Sequence, residues 1–334
     1  MSEIPTAIRF GITGCADIAR KVARAIKLAP NATLYAIASR SIDKARKFAA
    51  DSGLSGAVKI YGSYDQLLDD PCVDAVYMPL PTSLHLHWAV LAARKKKHLL
   101  LEKPTALDVS ELDKIMEACE STGVQFMAGS ITSTMPGTQD FLESNIRVNP
   151  NLDALGALGD IGWYCIGAIL WAKDYKLPTV VNALPDVLKN SAGVILSCSA
   201  SIHWEPEDKT VATIHFSFLS HSSMDLAMTG SNGSMHCIDY IIPYQENSAS
   251  FDFTSGATFV ELQIGWNAKP GEVTVISELP QEALMVQEFA RNAEDIRKFG
   301  KRPDSKWPEI SRKTQLVLDA VKKSIDLGCK PVKL

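Results

Sequence analysis

Apolar positions in the first part of the chain follow two alternating periods. IRFGITG (8–14), TLYAIASR (33–40), VKIY (58–61), DAVYMPL (74–80) and LLLE (99–102) are short apolar runs of strand length. Between them lie stretches of helical period. ADIARKVARAIKLAP (16–30) puts Ile18, Val22, Ala25 and Ile26 on one face before Pro30 closes it; SIDKARKFAADSG starts at Ser41 and stops at Gly53; YDQLLDD and the run from Ser83 to Lys97 complete the set. Strands separated by helices must connect through right-handed crossovers, so the pattern predicts a parallel, doubly wound α/β sheet. After residue 180 the texture changes: VILSCSASIHW (194–204), TVATIHFSFLS (210–220), MDLAMTG (224–230) and SMHCIDYIIPY (234–244) have strand composition with no helices between them. This predicts a largely antiparallel sheet in an α+β C-terminal domain that ends in helices over 281–300 and 308–328. The expected division is a first domain over 1–128 and a second over 129–334.

Composition narrows the function. With 334 residues, 46% hydrophobic and 22% charged, the chain is large enough for two cores. A net charge of -4 provides no field for phosphate backbones or anionic lipid, which argues against a nucleic-acid or membrane partner. The basic run Arg94 to Lys97 follows an apolar helical segment and reads as a solvated helix C-terminus. Seven scattered cysteines, never spaced CxxC, suit reduced thiols of a cytoplasmic protein and neither a zinc site nor a disulfide framework. MSEIPTAIRF lacks the basic and apolar regions of a signal peptide, and no stretch approaches the about 18 apolar residues of a membrane span.

The turn after the first strand, GITGCADIA, aligns Gly14, Ala16 and Ala19 with the dinucleotide fingerprint G-x-G-x-x-G. The glycine of the tight turn is present, whereas alanine stands where backbone approaches pyrophosphate. The placement, after a strand and opening a helix, marks Gly14, Ala16, Asp17 and Ile18 as candidate cofactor contacts in a Rossmann domain. At the end of the second strand, where NAD-binding chains carry an acid for the ribose, this chain has Ser39, Arg40 and Ser41, with Lys44 one turn on. A hydroxyl and a guanidinium fork suit the 2′-phosphate of NADP better than NAD, the bland alternative being an exposed arginine.

The strand LLLE ends in Glu102, Lys103 and Pro104. Ligands of open α/β sheets bind beyond the carboxyl ends of the strands, so Lys103 would face the cofactor crevice and steady a developing alkoxide; Pro104 makes a tight, cis turn plausible. The alternative is a surface ion pair. GITGCADIA, ASRS, MPLPTSLHLHWAVLAARKKKHLLLEKP and LGALGDIGWY together resemble the Gfo/Idh/MocA family of NAD(P)-dependent oxidoreductases, in the branch of dimeric dihydrodiol dehydrogenase and NADP-dependent xylose dehydrogenase, plant-type members included. The resemblance implies a Rossmann domain followed by an open-faced, mostly antiparallel sheet that pairs two subunits. It implies that Lys103 orients substrate and assists proton transfer, and it places Pro79, Leu80, Pro81, Thr82 and His85, with Glu102, beside the nicotinamide half. It further implies Tyr164 as general acid/base where many members carry His, with Asp160 orienting substrate. Asp160 and Tyr164 are i and i+4, neighbours on a helical face; a helix-start acid and a packed tyrosine is the alternative. Arg147, in NIRVNP, is expected near cofactor or substrate. His85 and His87 diverge on a helix and lack a third ligand, which argues against metal.

Two features bear on activity. Family members continue after VQFMAG with an aromatic-rich stretch, a helix and a strand, whereas GSITSTMPGTQDFLESNIRVNP runs almost directly to the second motif, and Ala128 replaces a frequent Glu. A missing strand leaves ladder groups unpaired. Rival enzymes find no signature: none of the eight tyrosines precedes lysine by four, and neither G-x-S-x-G nor a P-loop occurs. The reading is an NADP-dependent oxidoreductase acting on a CH–OH or carbonyl carbon of a sugar, polyol or cyclic diol, the alternative being a catalytically impaired nucleotide-binding member of the family.

Overall fold

The computed structural model describes residues 7–54, 56–129, 138–206, 208–221, 223–260 and 264–334. The start of the N-terminus and the first part of the shortened stretch, 130–137, thus lie outside the described residues.

Six strands form the first sheet: β1 (Ile8–Thr13), β2 (Ala32–Ala38), β3 (Lys59–Tyr61), β4 (Ala75–Met78), β5 (His98–Leu101) and β6 (Phe126–Ala128). All neighbours are parallel, in the order β3-β2-β1-β4-β5-β6. Their near-continuous apolar runs follow from burial on both faces: Ala75, Val76, Tyr77 and Met78 of β4 are each 0% exposed. Helices α1 (Asp17–Leu28), α2 (Ile42–Asp51), α3 (Tyr64–Asp69), α4 (His85–Arg94) and α5 (Val109–Thr122) connect the strands. α1 buries Ala19, Val22, Ala23, Ala25 and Ile26, much as its periodicity predicts. The helix predicted from Ser83 to Lys97 is instead a 3₁₀ turn, Thr82–Leu84, followed by α4, because the basic run at its end leaves the helix, Lys96 reaching a φ of 57°. The strand order reverses between β1 and β4, and the crevice beyond their carboxyl ends is where open sheets of this kind bind ligands.

After α6 (Gln139–Ser144) and a 3₁₀ turn at Ile146–Val148, the chain passes through a π-helical turn, Leu158–Gly162, into α7 (Trp163–Ala172). Antiparallel strands β7 (Val180–Ala183), β8 (Leu188–Lys189), β9 (Ile195–Trp204) and β10 (Thr210–Ser217) follow. Then come β11 (Leu226–Gly230), β12 (Gly233–Cys237), β13 (Ser248–Ser255) and β14 (Gly271–Ile276). Helices α8 (Gln281–Phe299) and α9 (Lys306–Asp326) precede the last strand, β15 (Val332–Lys333).

The antiparallel strands make two sheets, β10-β9-β7-β15 with β8 beside β9, and β11-β12-β13-β14. Among the described residues β10 is paired only with β9, so its other edge carries no ladder. The strand predicted over 234–244 stops at Cys237, where the chain bends and Asp239 bridges to Met224. On β9 one face is core, with Cys198, Ala200, Ile202 and Trp204 against α7 and α9, and the other carries Ser197, Ser199, Ser201 and His203. α8 departs from a division of the chain at residue 128: its Ala283, Val286, Phe289 and Ala293 join the core of β1 and α1, with the Phe289 ring 5.7 Å from that of Phe10. No helix among the described residues is long and apolar enough to cross a membrane.

Candidate functional site

The cofactor-side residues gather at the carboxyl ends of β1, β2 and β4. Gly14 has a φ of +117°, a conformation L side chains rarely adopt, and a Cβ there would sit 3.1 Å from Leu80 Cδ2. Its N–H donates to Ala38 O at 2.9 Å, closing the turn between β1 and α1. Ala16 supplies no side-chain cap to α1, so the first N–H groups of this twelve-residue helix have no side-chain acceptor from it. Asp17 is exposed and Ile18 half-buried at this end. Ser39 is buried at the end of β2, with Arg40 and Lys44 exposed beside it. Ser41 is spent as the cap of α2, its Oγ accepting the Lys44 N–H at 3.3 Å. Burial pushes the Cys15 thiol up against the opposing pull of Lys44, and burial likewise raises the Tyr64 phenol against Arg40, so both basic side chains lie near the β1 turn and α3.

The residues expected beside the nicotinamide divide into two sets. Pro79, Leu80, Pro81 and Thr82 lead out of β4, and Thr82 donates through both its N–H (2.7 Å) and its Oγ1 (2.6 Å) to Asp153 Oδ1, a link from 71 residues away. His85 is 0% exposed, with Nδ1 3.2 Å from Thr105 O and Nε2 2.8 Å from Leu80 O. Both ring nitrogens thus face backbone carbonyls; burial lowers the ring's pKa, and a neutral ring has one N–H and donates to only one of them. His85 sits between the turn after β4 and the turn after β5. Among the described residues no three His, Cys, Asp or Glu side chains come together as metal ligands.

The catalytic candidates converge. The Lys103–Pro104 peptide is cis. The Lys103 ammonium bonds Asp160 Oδ1, lies 3.1 Å from Asp160 O, and sits 4.7 Å from the Tyr164 ring centroid. Arg147 Nε approaches the same Asp160 oxygen at 2.9 Å. Burial would raise the Asp160 carboxyl, but Lys103 and Arg147 outweigh it and hold it at about 2. Glu102 faces the other way: Oε1 accepts the Tyr77 hydroxyl at 2.6 Å and Oε2 the Lys103 N–H at 3.2 Å. Burial raises the carboxyl of Glu102 above its ordinary range and the phenol of Tyr77 well above its own.

Glycines make this convergence possible. A Cβ at Gly159 would lie 2.7 Å from Leu155 Cβ and 3.1 Å from Pro104 Cγ, so only glycine lets the second motif close on the lysine turn. The π-helical turn that carries Asp160 is a local departure of a kind often found at functional sites. Sequence reading passed over Asp153 and Tyr77, since neither lies in a motif and both act across long separations. It separated Arg147 from the catalytic pair, although the structure puts it on Asp160.

Comparison with known proteins agrees with this architecture. Residues 8–130 match the Gfo/Idh/MocA oxidoreductase family, NAD-binding Rossmann fold. An uncharacterized oxidoreductase of Rhizobium meliloti is 48% identical over 117 residues, 35% of this chain and 34% of that protein. The D-xylose 1-dehydrogenase (NADP(+)) 2 of Haloferax volcanii is 33% identical over 183 residues, 48% of this chain and 55% of that protein. The chain therefore spans about a third to a half of the length of these relatives. A crystal structure of a 3-ketoreductase from Actinomadura kijaniata with NADP and TDP-benzene superposes with a TM-score of 0.75 over 95% of this chain and 98% of that one, at 23% identity, which fixes the fold of both parts. The family match thus covers residues 8–130, the part of the chain that carries the six-stranded parallel sheet.

Proposed function

We propose that the protein is an NADP-dependent oxidoreductase acting on a CH–OH or carbonyl carbon of a sugar, polyol or cyclic diol. The observation that carries this reading is the meeting of Lys103, Asp160 and Tyr164 beyond the end of β5, beside the crevice where the strand order reverses. The residues fit the cofactor: the uncapped start of α1 and the Gly14 turn suit a pyrophosphate, and Ser39, Arg40 and Lys44 suit a 2′-phosphate where an acid would favour NAD. When bound, the nicotinamide supplies or accepts the hydride. Lys103 stabilises the alkoxide charge that develops on the substrate oxygen, Tyr164 gives or takes the proton of that oxygen, and Asp160 holds the ammonium in register. The name of the similar D-xylose 1-dehydrogenase supports a carbohydrate-like substrate. Seven free cysteines suit the cytoplasm, and the polar open face of β9 suits pairing of two subunits as a homodimer.

A second reading, a nucleotide-binding protein with impaired catalysis, draws on one observation. The Lys103 side chain is 1% exposed and that of Asp160 5%, so a substrate reaches the ammonium only if its cover moves. One experiment separates the readings: calorimetry with NADPH and NADH, followed by turnover on a panel of aldoses, diols and their carbonyl partners. The proposal expects NADPH binding and turnover, with Lys103→Ala and Tyr164→Phe each lowering kcat by about a hundredfold while the NADPH Kd changes little. NADPH binding without turnover favours the second reading. Unchanged turnover in both variants, or no dinucleotide binding, overturns the proposal.

A further inference from the structure

Two positive side chains, Lys103 and Arg147, address one oxygen of one buried carboxylate, Asp160. Arg147 is not a surface arginine that drifted inward. Its backbone is fixed by Asn145, whose Oδ1 accepts the Arg147 N–H at 3.0 Å, and the next carbonyl, Val148 O, accepts Asn190 Nδ2 at 2.9 Å. Val148 itself is 6% exposed in the core of the second part, so the arm is anchored on both sides of the arginine. The guanidinium side chain is 21% exposed, against 5% for Asp160. Asp153, already bonded to Thr82, lies close enough to act on its charge, as does Tyr164.

We propose that Arg147 is a positioning residue of this site: its guanidinium locks Asp160 as a permanent carboxylate, so that Asp160 takes no part in the proton transfer and serves only to hold the Lys103 ammonium. This rests on the oxidoreductase reading above and assigns a role within it. The physical argument starts from desolvation. A lone buried lysine–aspartate pair can collapse to a neutral amine and a neutral acid, since charge separation is costly away from water. A guanidinium does not deprotonate and therefore cannot take part in that collapse. With Arg147 on the same oxygen, Asp160 stays ionised and stays in place while Tyr164 exchanges a proton with the substrate oxygen. The charged and titratable groups facing Asp160 are then accounted for: Lys103 from the turn after β5, Arg147 from the 3₁₀ turn, and Tyr164 from α7, over the ammonium. Glu102 and Asp153 act one step further out, on Lys103 and Arg147.

The test is aspartate-selective ¹³C NMR of the full chain, with the Asp160 carboxyl assigned by its loss in Asp160→Asn. The wild-type carboxyl is expected to remain ionised down to the acid limit of folding. Arg147→Met is expected to raise its titration midpoint by about one to two pH units, because a cation that favoured the ionised form is gone. Arg147→Lys, which keeps the charge without the fork, is expected to recover most of that shift, and Arg147→Gln serves where the methionine variant fails to fold. Where turnover is found, the acid limb of the kcat profile should move upward by the same interval in the methionine variant, with the NADPH Kd within about threefold of wild type. An Asp160 carboxyl that titrates as in wild type after Arg147 is neutralised overturns the proposal. The NMR measurement needs no turnover, so failure of the oxidoreductase reading, seen as an inactive wild type, is told apart from failure of this one.

Discussion

Replacing Asp160 with Asn keeps the shape of the side chain and deletes the anion between two cations. Asp160 is 4% exposed, the Lys103 side chain 1% and that of Arg147 21%, so little water is available to take over the lost charge. Removing one partner of a buried ion pair costs about 3–5 kcal/mol, because the remaining charge stays buried and unpaired. Proton linkage gives a second route to the size. The carboxyl sits near about 2 against an ordinary 3.8, and at 1.36 kcal/mol per pH unit this is on the order of 2 kcal/mol of stability. The sign follows from a depressed folded-state value: this stability is fully present above pH 3.8 and is lost as pH falls toward about 2. Together the two routes place the loss at about 2–5 kcal/mol, or a thermal midpoint lowered by about 3–7 °C for a chain of 334 residues. The assay is calorimetric melting at pH 7 of wild type, Asp160→Asn, and Asp160→Asn with Lys103→Met, since removing the ammonium should return part of the loss. A single variant that melts within about 1 °C of wild type, or a double variant less stable than the single, refutes the argument.

Three further outcomes are expected. Gly156→Ala should destabilise the fold by about 2–4 kcal/mol in urea titration, since Gly156 has a φ of +57° and its Cβ would lie 2.2 Å from Ile195 O. Arg40→Ala should weaken NADPH binding by about tenfold or more in calorimetry while changing NADH binding by less than about twofold, as one charge-assisted bond to a phosphate is worth at least that factor. His98 Nδ1 accepts the Gln125 N–H at 2.9 Å, and burial pushes the ring down to about 4. Its stabilisation is complete above pH 6.5 and falls away between 6.5 and about 4, by roughly 3 kcal/mol at 1.36 per unit; the urea midpoint should drop over that window in wild type and less so in His98→Asn.

The parallel sheet was legible because its strands are buried on both faces and therefore apolar throughout, while α1 declares its buried side through Val22 and Ile26. α5 was equally readable and passed over: Asp108 caps it, Gly123 ends it in the left-handed region, and Leu112, Ile115 and Cys119 make its inner face. Of the antiparallel strands β9 to β12 were legible as strands, while β7, β8, β13, β14 and β15 were not, and the division into two sheets was not legible either, since pairing depends on register and not on composition. Nor does any local pattern announce that α8, after some 150 residues spent elsewhere, returns to the core of β1; an amphipathic helix states which face it buries and not against what.

The motif residues also separate by what remains for them to do once the chain is folded. Ser41 caps a helix and both nitrogens of His85 face backbone carbonyls; Thr82 gives both its donors to Asp153, and Glu102 is engaged by Tyr77 and the Lys103 N–H. These groups hold the turns after β2, β4 and β5 in place and leave recognition to others. The groups proposed to meet the cofactor are the start of α1, without a side-chain cap, and the exposed Arg40 and Lys44, and those proposed to meet the substrate are the buried ammonium–carboxylate–guanidinium cluster and Tyr164. A motif in sequence therefore marks the neighbourhood of chemistry more reliably than it marks the reacting group. Bonds within the fold do not by themselves divide scaffold from chemistry, since the Lys103 ammonium is bonded to Asp160 and is still the group proposed to meet the substrate oxygen.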